Sequence, residues 1–247
     1  MVLVVTENNI KYNIITDHTM TQRFLLNKSI KLLVCDMAGT TINEGGLVYK
    51  TLYDTIKGYD IYIEKDAMKK WYGINKIVVL KHYINNDIEY RYNEAILPQM
   101  LNGFKSNLRR NYREENAIRL IDPGLPDLLN GFRERGTKVV LNTGYPSDIQ
   151  TELVKQLNMN EFIDGYISSE DVTSGRPEPD MIHELMRRHS ITDPNQVVKI
   201  GDSMNDILEG KNAKCHKSIG VLSGEETMNN LLKCNADIIL DSIMDLY

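Results

Sequence analysis

A chain of 247 residues, 42% hydrophobic and 26% charged, has the composition of a soluble globular protein and the length to bury a core without disulfide or metal staples. A formal net charge of -5 with no basic tract argues against nucleic acid or an anionic membrane as a partner, and no apolar run is long enough to span a bilayer. The three cysteines, Cys35, Cys215 and Cys234, form neither a close pair nor a zinc spacing, which fits a reducing cytoplasm.

The opening Met1-Val-Leu-Val-Val5 lacks the basic residues and the length of a secretion signal. Residues 1–30 read as an extension ahead of the core, with a hairpin as a candidate form. Lys31-Leu-Leu-Val-Cys35 is an unbroken apolar run, the pattern of a central parallel strand, and it stops at Asp36. Residues 47–119 carry no strand series. Val48, Leu52, Ile56 and Tyr59 make one helical stripe, and Ala67, Met68, Trp71 and Tyr72 a second. They read as a helical cap inserted into a core of residues 31–46 and 120–247, or as more of the same domain.

The rhythm of strand and helix resumes after the insert. Leu125, Leu128, Leu129 and Phe132 predict a helix that Gly136 ends, and Met181, Ile182, Leu185 and Met186 predict another that starts near Pro179. Strand-like runs occur at Lys138–Leu141, Val197–Ile200, Ile219–Leu222 and Asp237–Leu240. The alternation predicts an α/β fold with a doubly wound parallel sheet.

Reactive groups in such a sheet collect past the carboxyl ends of the strands. Four segments fall there in order. Asp36-Met-Ala-Gly-Thr-Thr41 offers a nucleophile or metal ligand. Asn142-Thr143-Gly144 offers a hydroxyl beside backbone N–H groups, a fit to phosphoryl oxygens. Gly175-Arg176-Pro177 offers a planar guanidinium. Asp202 and Asp206, four apart at the opening of a helix, can hold a hard divalent cation. Singly, these are ordinary turn residues, a surface cation and helix-start carboxylates. Together and in order they point to one site.

This set resembles the haloacid dehalogenase superfamily over about residues 31–247, and within it the phosphonoacetaldehyde hydrolase (phosphonatase) group. Gly73-Ile-Asn-Lys76, Tyr145, Gly210-Lys-Asn-Ala213 and Gly220-Val-Leu-Ser-Gly224 add to the likeness. The resemblance implies that Asp36 attacks phosphorus and becomes an aspartyl-phosphate. It implies Mg2+ held by the Asp36 carboxylate, the Ala38 carbonyl and Asp202, with Asp206 supporting through water. Thr143 would bind the phosphoryl group, together with Thr40, Gly144 and Tyr145, and Arg176 would neutralise charge at Asp36. The implied partner is a small phosphonate or phosphate, handled by a cytoplasmic monomer or homodimer.

Most phosphatases of the superfamily carry a second Asp two residues after the nucleophile, to protonate the leaving alcohol. Ala38 cannot do so, and general acid–base help is typically worth about 10²–10⁴-fold. Ordinary phosphomonoesters and sugar-phosphate isomerisation are therefore disfavoured. Phosphonatases also have Ala there, because they break a C–P bond activated by a Schiff base on a cap lysine. Lys76 matches that lysine. The His that phosphonatases carry three residues later is Val79 here, and their Cys ten residues after the nucleophile is Gly46. Two roles for Lys76 thus stand: imine-forming amine, or a cation that steadies substrate charge. The competing functions are a phosphatase for a good leaving group such as an acyl phosphate, a non-catalytic binder of a phosphorylated metabolite, and a metal-free dehalogenase. Asp202 and Asp206 weigh against the last of these.

Overall fold

A computed structural model describes residues 3–4 and 30–246, apart from 65, 88, 90, 115 and 116; the candidate hairpin before residue 30 lies outside the described residues. In chain order the strands and α-helices are β1 (Leu3–Val4), β2 (Leu32–Cys35), β3 (Ile42–Asn43), α1 (Leu47–Lys57), α2 (Lys76–Asn85), α3 (Leu97–Tyr112), β4 (Arg119–Leu120), α4 (Leu125–Glu134), β5 (Lys138–Thr143), α5 (Ser147–Gln156), β6 (Gly165–Ser168), α6 (Asp180–Arg188), β7 (Val197–Gly201), α7 (Met204–Asn212), β8 (Lys217–Val221), α8 (Met228–Lys233) and β9 (Ile238–Leu240).

The apolar run at β2 is buried on both faces because it is a central strand. Leu33 and Cys35 join one hydrophobic cluster with Val139 and Leu141, while Leu32 and Val34 join another with Val140, Ile182 and Leu185. The sheet order is β1-β9-β8-β7-β2-β5-β6, parallel throughout except that β1 runs antiparallel to β9. The chain winds outward from β2 through β5 and β6, then returns to β7 on the other side. The ends of β2, β5 and β7 therefore meet where the winding reverses, the place where open sheets of this kind bind ligands.

The insert leaves and rejoins the core at a two-stranded ribbon, with Ile42 opposite Leu120 and Asn43 opposite Arg119. Its helices pack through Val48, Leu52 and Ile56 of α1, Leu80 and Ile84 of α2, and Met100, Phe104 and Leu108 of α3. The stripe at Ala67–Tyr72 is not an α-helix: it holds one 3-10 turn, Lys69–Trp71, because the chain turns at Gly73 with φ +77° before Asn75 caps α2. Lys105 and Arg109 of α3 ion-pair with Asp148 of α5 at 2.9 and 2.7 Å, and Arg109 reaches Glu152, tying insert to core. Strand β6 had no sequence signature: it is an edge strand of four residues, broken up by Gly165 and Ser168. No helix among the described residues is long and apolar enough to cross a membrane.

Candidate active site

Asp36 stands one residue past β2, and its backbone N–H donates to Ile200 O of β7 at 2.9 Å, so the main chain fixes its position. Asp202 follows β7 directly. Asp206 lies in the first turn of α7, where Ser203 and Asp206 form a reciprocal cap. One carboxylate oxygen from each of Asp36, Asp202 and Asp206 lies within 4.8 Å of the others, and all three residues are buried. Burial first, and repulsion from Asp206 second, push Asp36 up to about 6. Burial, with Asp36 and Asp206 behind it, pushes Asp202 up as well. Burial works in the same direction at Asp206, but Arg176 and Lys199 overcome it and hold that carboxyl below its usual range.

Beneath the carboxylates runs a fully buried polar network. Arg176 donates to Asp36 Oδ1 at 2.6 Å, to Glu209 at 2.9 Å, and to both the carbonyl and the side-chain oxygen of Asn142 at 2.8 and 2.7 Å. Lys199 donates to Asn142 Oδ1 at 2.6 Å and ion-pairs with Asp206 at 2.8 Å. Every polar face of the guanidinium is thus used, which sets its plane against Asp36. Lys199 and Glu209 were invisible as site residues in the sequence. The available signal was a lysine in the middle of an otherwise apolar strand, Val197-Val-Lys-Ile-Gly201, where burial demands a partner.

The opposite wall comes from the insert. Lys76 is the first residue of α2 and is 3% exposed. Its ammonium donates to Ile74 O at 2.9 Å and sits 4.8 Å from the centre of the Tyr49 ring. Burial lowers its pKa to about 8, opposed by the charge of Asp36. Tyr49, a third residue the sequence did not single out, is pinned by the Gly73 N–H donating to its hydroxyl at 2.6 Å.

Asp36, Ala38, Lys76, Thr143, Gly144, Tyr145 and Asp202 line one cavity with Val48, Tyr49 and Gly73. Arg176 and Asp206 lie behind this wall, in contact through Asp36 and each other. Thr40 is not on the wall: it is fully buried in the turn after β2, where its N–H donates to Met37 O. Asn142 and Thr143 are the last residues of β5 and do not follow it. The cavity encloses about 20 Å³, room for about one water. The insert and the sheet therefore meet tightly over the carboxylates.

Gly144 makes that closure possible. A methyl group there would lie 2.6 Å from both Gly73 O and Ile74 O. Backbone cannot retreat as a flexible side chain does, so Gly144→Ala should hold the insert away from Asp36. A displacement of about 1 Å costs about 10²-fold in rate. Steady-state kinetics should show at least that loss, with the melting temperature near wild type because the sheet itself is untouched.

The haloacid dehalogenase-like hydrolase family model matches residues 30–214. The chain belongs to that family. The phosphonoacetaldehyde hydrolase of Lactiplantibacillus plantarum is 30% identical over 219 residues, covering 81% of this chain and 78% of that protein. This likeness places the chain in the phosphonatase-like group. The phosphoglycolate phosphatase of Vibrio vulnificus is 22% identical, covering 90% of this chain and 96% of that protein. Among solved structures, a phosphonoacetaldehyde hydrolase-like protein from Oleispira antarctica has the same fold, with a TM-score of 0.74 at 21% identity over 89% of this chain and 90% of its own.

Haloacid dehalogenase-like hydrolases generally use a divalent metal, and the donor set here fits one. Three basic side chains, Arg176, Lys199 and Lys76, face four carboxylates, those of Asp36, Asp202, Asp206 and Glu209, which leaves one negative charge over. All the donors are hard oxygens, suited to Mg2+ or Ca2+ rather than a thiol-seeking metal. Gly224 leaves space for this arrangement, since a Cβ there would collide with Asp202 Oδ2.

Proposed function

We propose that this hydrolase is a cytoplasmic, Mg2+-dependent phosphonatase-type enzyme that cleaves a small phosphonate bearing a carbonyl next to the C–P carbon. The observation that carries the reading is the cavity shared by Asp36 and Lys76, with only the methyl group of Ala38 where an acid would be needed for an alcohol leaving group. Burial favours the free amine of Lys76, the form that condenses with an aldehyde.

Mg2+ held by Asp36, Asp202 and the Ala38 carbonyl would draw charge from the phosphoryl oxygens. Thr143, whose hydroxyl accepts the Tyr145 N–H at 3.2 Å, and the backbone N–H of Gly144 would hold those oxygens in place. Lys76 would form an imine with the substrate carbonyl, giving the C–P electrons somewhere to go. Asp36 would take the phosphoryl group as an aspartyl-phosphate, with Arg176 balancing its charge until water releases phosphate. Exclusion of water by the closed insert protects both covalent intermediates.

A phosphatase for acyl phosphates is the second reading, and Ala38 favours it too, because a good leaving group needs no acid. A turnover screen with Mg2+ separates the readings. Phosphonoacetaldehyde and other 2-oxoalkylphosphonates should release phosphate far faster than acyl phosphates, and alkyl phosphates should release least. Faster turnover of acyl phosphates than of every 2-oxoalkylphosphonate would install the second reading.

The two aspartates near the cation differ in what they have left to give it. Asp206 already spends one oxygen on Lys199 and Arg176 and the other on Ser203, whereas Asp202 accepts one backbone N–H, from Glu225 at 3.2 Å. Asp202→Ala should therefore weaken Mg2+ binding, read by titration calorimetry, more than Asp206→Ala does. The reverse order would move the primary ligand to Asp206.

A further inference from the structure

Three successive residues of the insert each hold one partner at the site. The Tyr72 carbonyl accepts from Asn205 Nδ2 at 2.7 Å. The Gly73 N–H donates to the Tyr49 hydroxyl at 2.6 Å, and the Tyr49 ring centre lies 4.8 Å from the Lys76 ammonium. The Ile74 carbonyl accepts from that ammonium at 2.9 Å. Of the three partners, Asn205 alone belongs to the core. It stands in the first turn of α7, between Asp202 and Asp206, and 133 positions from Tyr72.

The turn is seated directly on the start of α7. A Cβ on Gly73 would lie 2.6 Å from Ser203 Oγ, 3.4 Å from the Arg176 guanidinium and 3.5 Å from Asn205 Cβ. Glycine has none, so the backbone comes close enough for the Asn205 amide to reach the preceding carbonyl. That carbonyl and the Gly73 N–H are opposite edges of one planar peptide unit. Asn205 holds one edge and Tyr49 the other. Fixing the first edge therefore sets the direction of the second.

We propose that Asn205 is a positioning residue for the Lys76 amine, tying the turn that carries it to the loop that carries Asp202 and Asp206. This deepens the phosphonatase reading and rests on it, since Lys76 must act on the substrate for its placement to matter. The Lys76 nitrogen must reach the substrate carbonyl while phosphorus stands before Asp36. The core holds the phosphoryl end and the insert holds the amine, so their relative placement is set where insert meets core. Lys105 and Arg109 join the two at α5, whereas Asn205 joins them at the site.

Asn205→Ala keeps the Cβ beside Gly73, and Asn205→Leu keeps the bulk of the side chain. Neither can donate to Tyr72. The reciprocal cap between Ser203 and Asp206 is untouched in both, so Mg2+ binding by calorimetry should stay at the wild-type value. The first readout needs neither substrate nor cation. The full chain is treated with limiting acetic anhydride, and each lysine is followed by peptide mass spectrometry. Lys76 is 3% exposed, and Lys199, wholly buried in β7, reports on the fold. In both variants Lys76 should acetylate about two- to tenfold faster, the change expected from one lost hydrogen bond, with Lys199 unchanged. The second readout is the borohydride adduct on Lys76 formed with phosphonoacetaldehyde. Its rate should fall about 10²-fold, with kcat falling and KM holding. Wild-type acetylation of Lys76 in both variants, or wild-type adduct rates, would overturn the proposal and leave the phosphonatase reading intact. Lys199 acetylation rising in step with Lys76 in both variants would overturn it too, because Asn205 would then support the fold at large. No adduct on the wild-type chain, with acetylation changed as expected, would overturn the phosphonatase reading and leave Asn205 as the residue that holds Lys76 in place.

Discussion

Asp36→Asn should take phosphate release from any substrate down to background, a loss of at least about 10⁴-fold. An amide oxygen is too weak a nucleophile to attack phosphorus, and the change removes a charge from the cation's donor set. The same substitution should not cost the metal-free protein stability. Burial, and repulsion from Asp206 behind it, raise Asp36 to about 6 from 3.8, so its ionised form is disfavoured in the folded state. The penalty is absent below the unfolded value, grows as pH rises towards 6, and is complete above it. Asn carries none of this penalty and still offers Arg176 an acceptor. Thermal melts at pH 7 should therefore place the variant level with wild type or above it while its activity is gone. Wild-type-like turnover in this variant would remove the covalent intermediate from the account.

Lys76→Arg and Lys76→Met should each abolish C–P cleavage, for different reasons. Guanidinium keeps the charge but cannot form an imine, and the thioether fills the space with neither. Two variants are needed because arginine stays charged in a buried place that pushes Lys76 towards its neutral form. The arginine variant is therefore open to failure by unfolding, which the methionine variant should avoid. The wild-type pH profile carries the same signature. With a pKa near 8, about a tenth of Lys76 is free amine at pH 7, against about one in 3,000 for an ordinary lysine at 10.5. Cleavage should rise as pH climbs through 8 and flatten above it. A cation bound at the carboxylates would push the inflection lower. Partial activity in Lys76→Arg would instead assign Lys76 to steadying substrate charge.

The residues at the strand ends were legible because each is local: an apolar run stops, and a carboxylate, a hydroxyl or a guanidinium follows. Asp36, Thr143, Arg176, Asp202 and Asp206 announced themselves this way, and the sheet that gathers them followed from the alternation of runs. What supports them was not legible. Lys199 hid inside a strand read as apolar, and its partners Asn142 and Glu209 lie 57 and 10 residues away. Glu44 and Tyr112 are 68 positions apart, and only the packing of α3 against the core brings their oxygens together. Thr40, whose motif position suggested a substrate contact, is buried in the tight turn after β2 and does not line the cavity. The stripe at Ala67–Tyr72 had helical spacing without a capped start or the length to propagate, and the chain took a single tight turn instead.

Whether Lys76 works as an amine facing a nucleophilic Asp36 is tested most directly by mass spectrometry of the wild-type chain, reduced with borohydride during turnover of phosphonoacetaldehyde with Mg2+. A stable adduct confined to Lys76, forming at least as fast as phosphate is released, is the result predicted. Steady phosphate release with Lys76 left unmodified would contradict it.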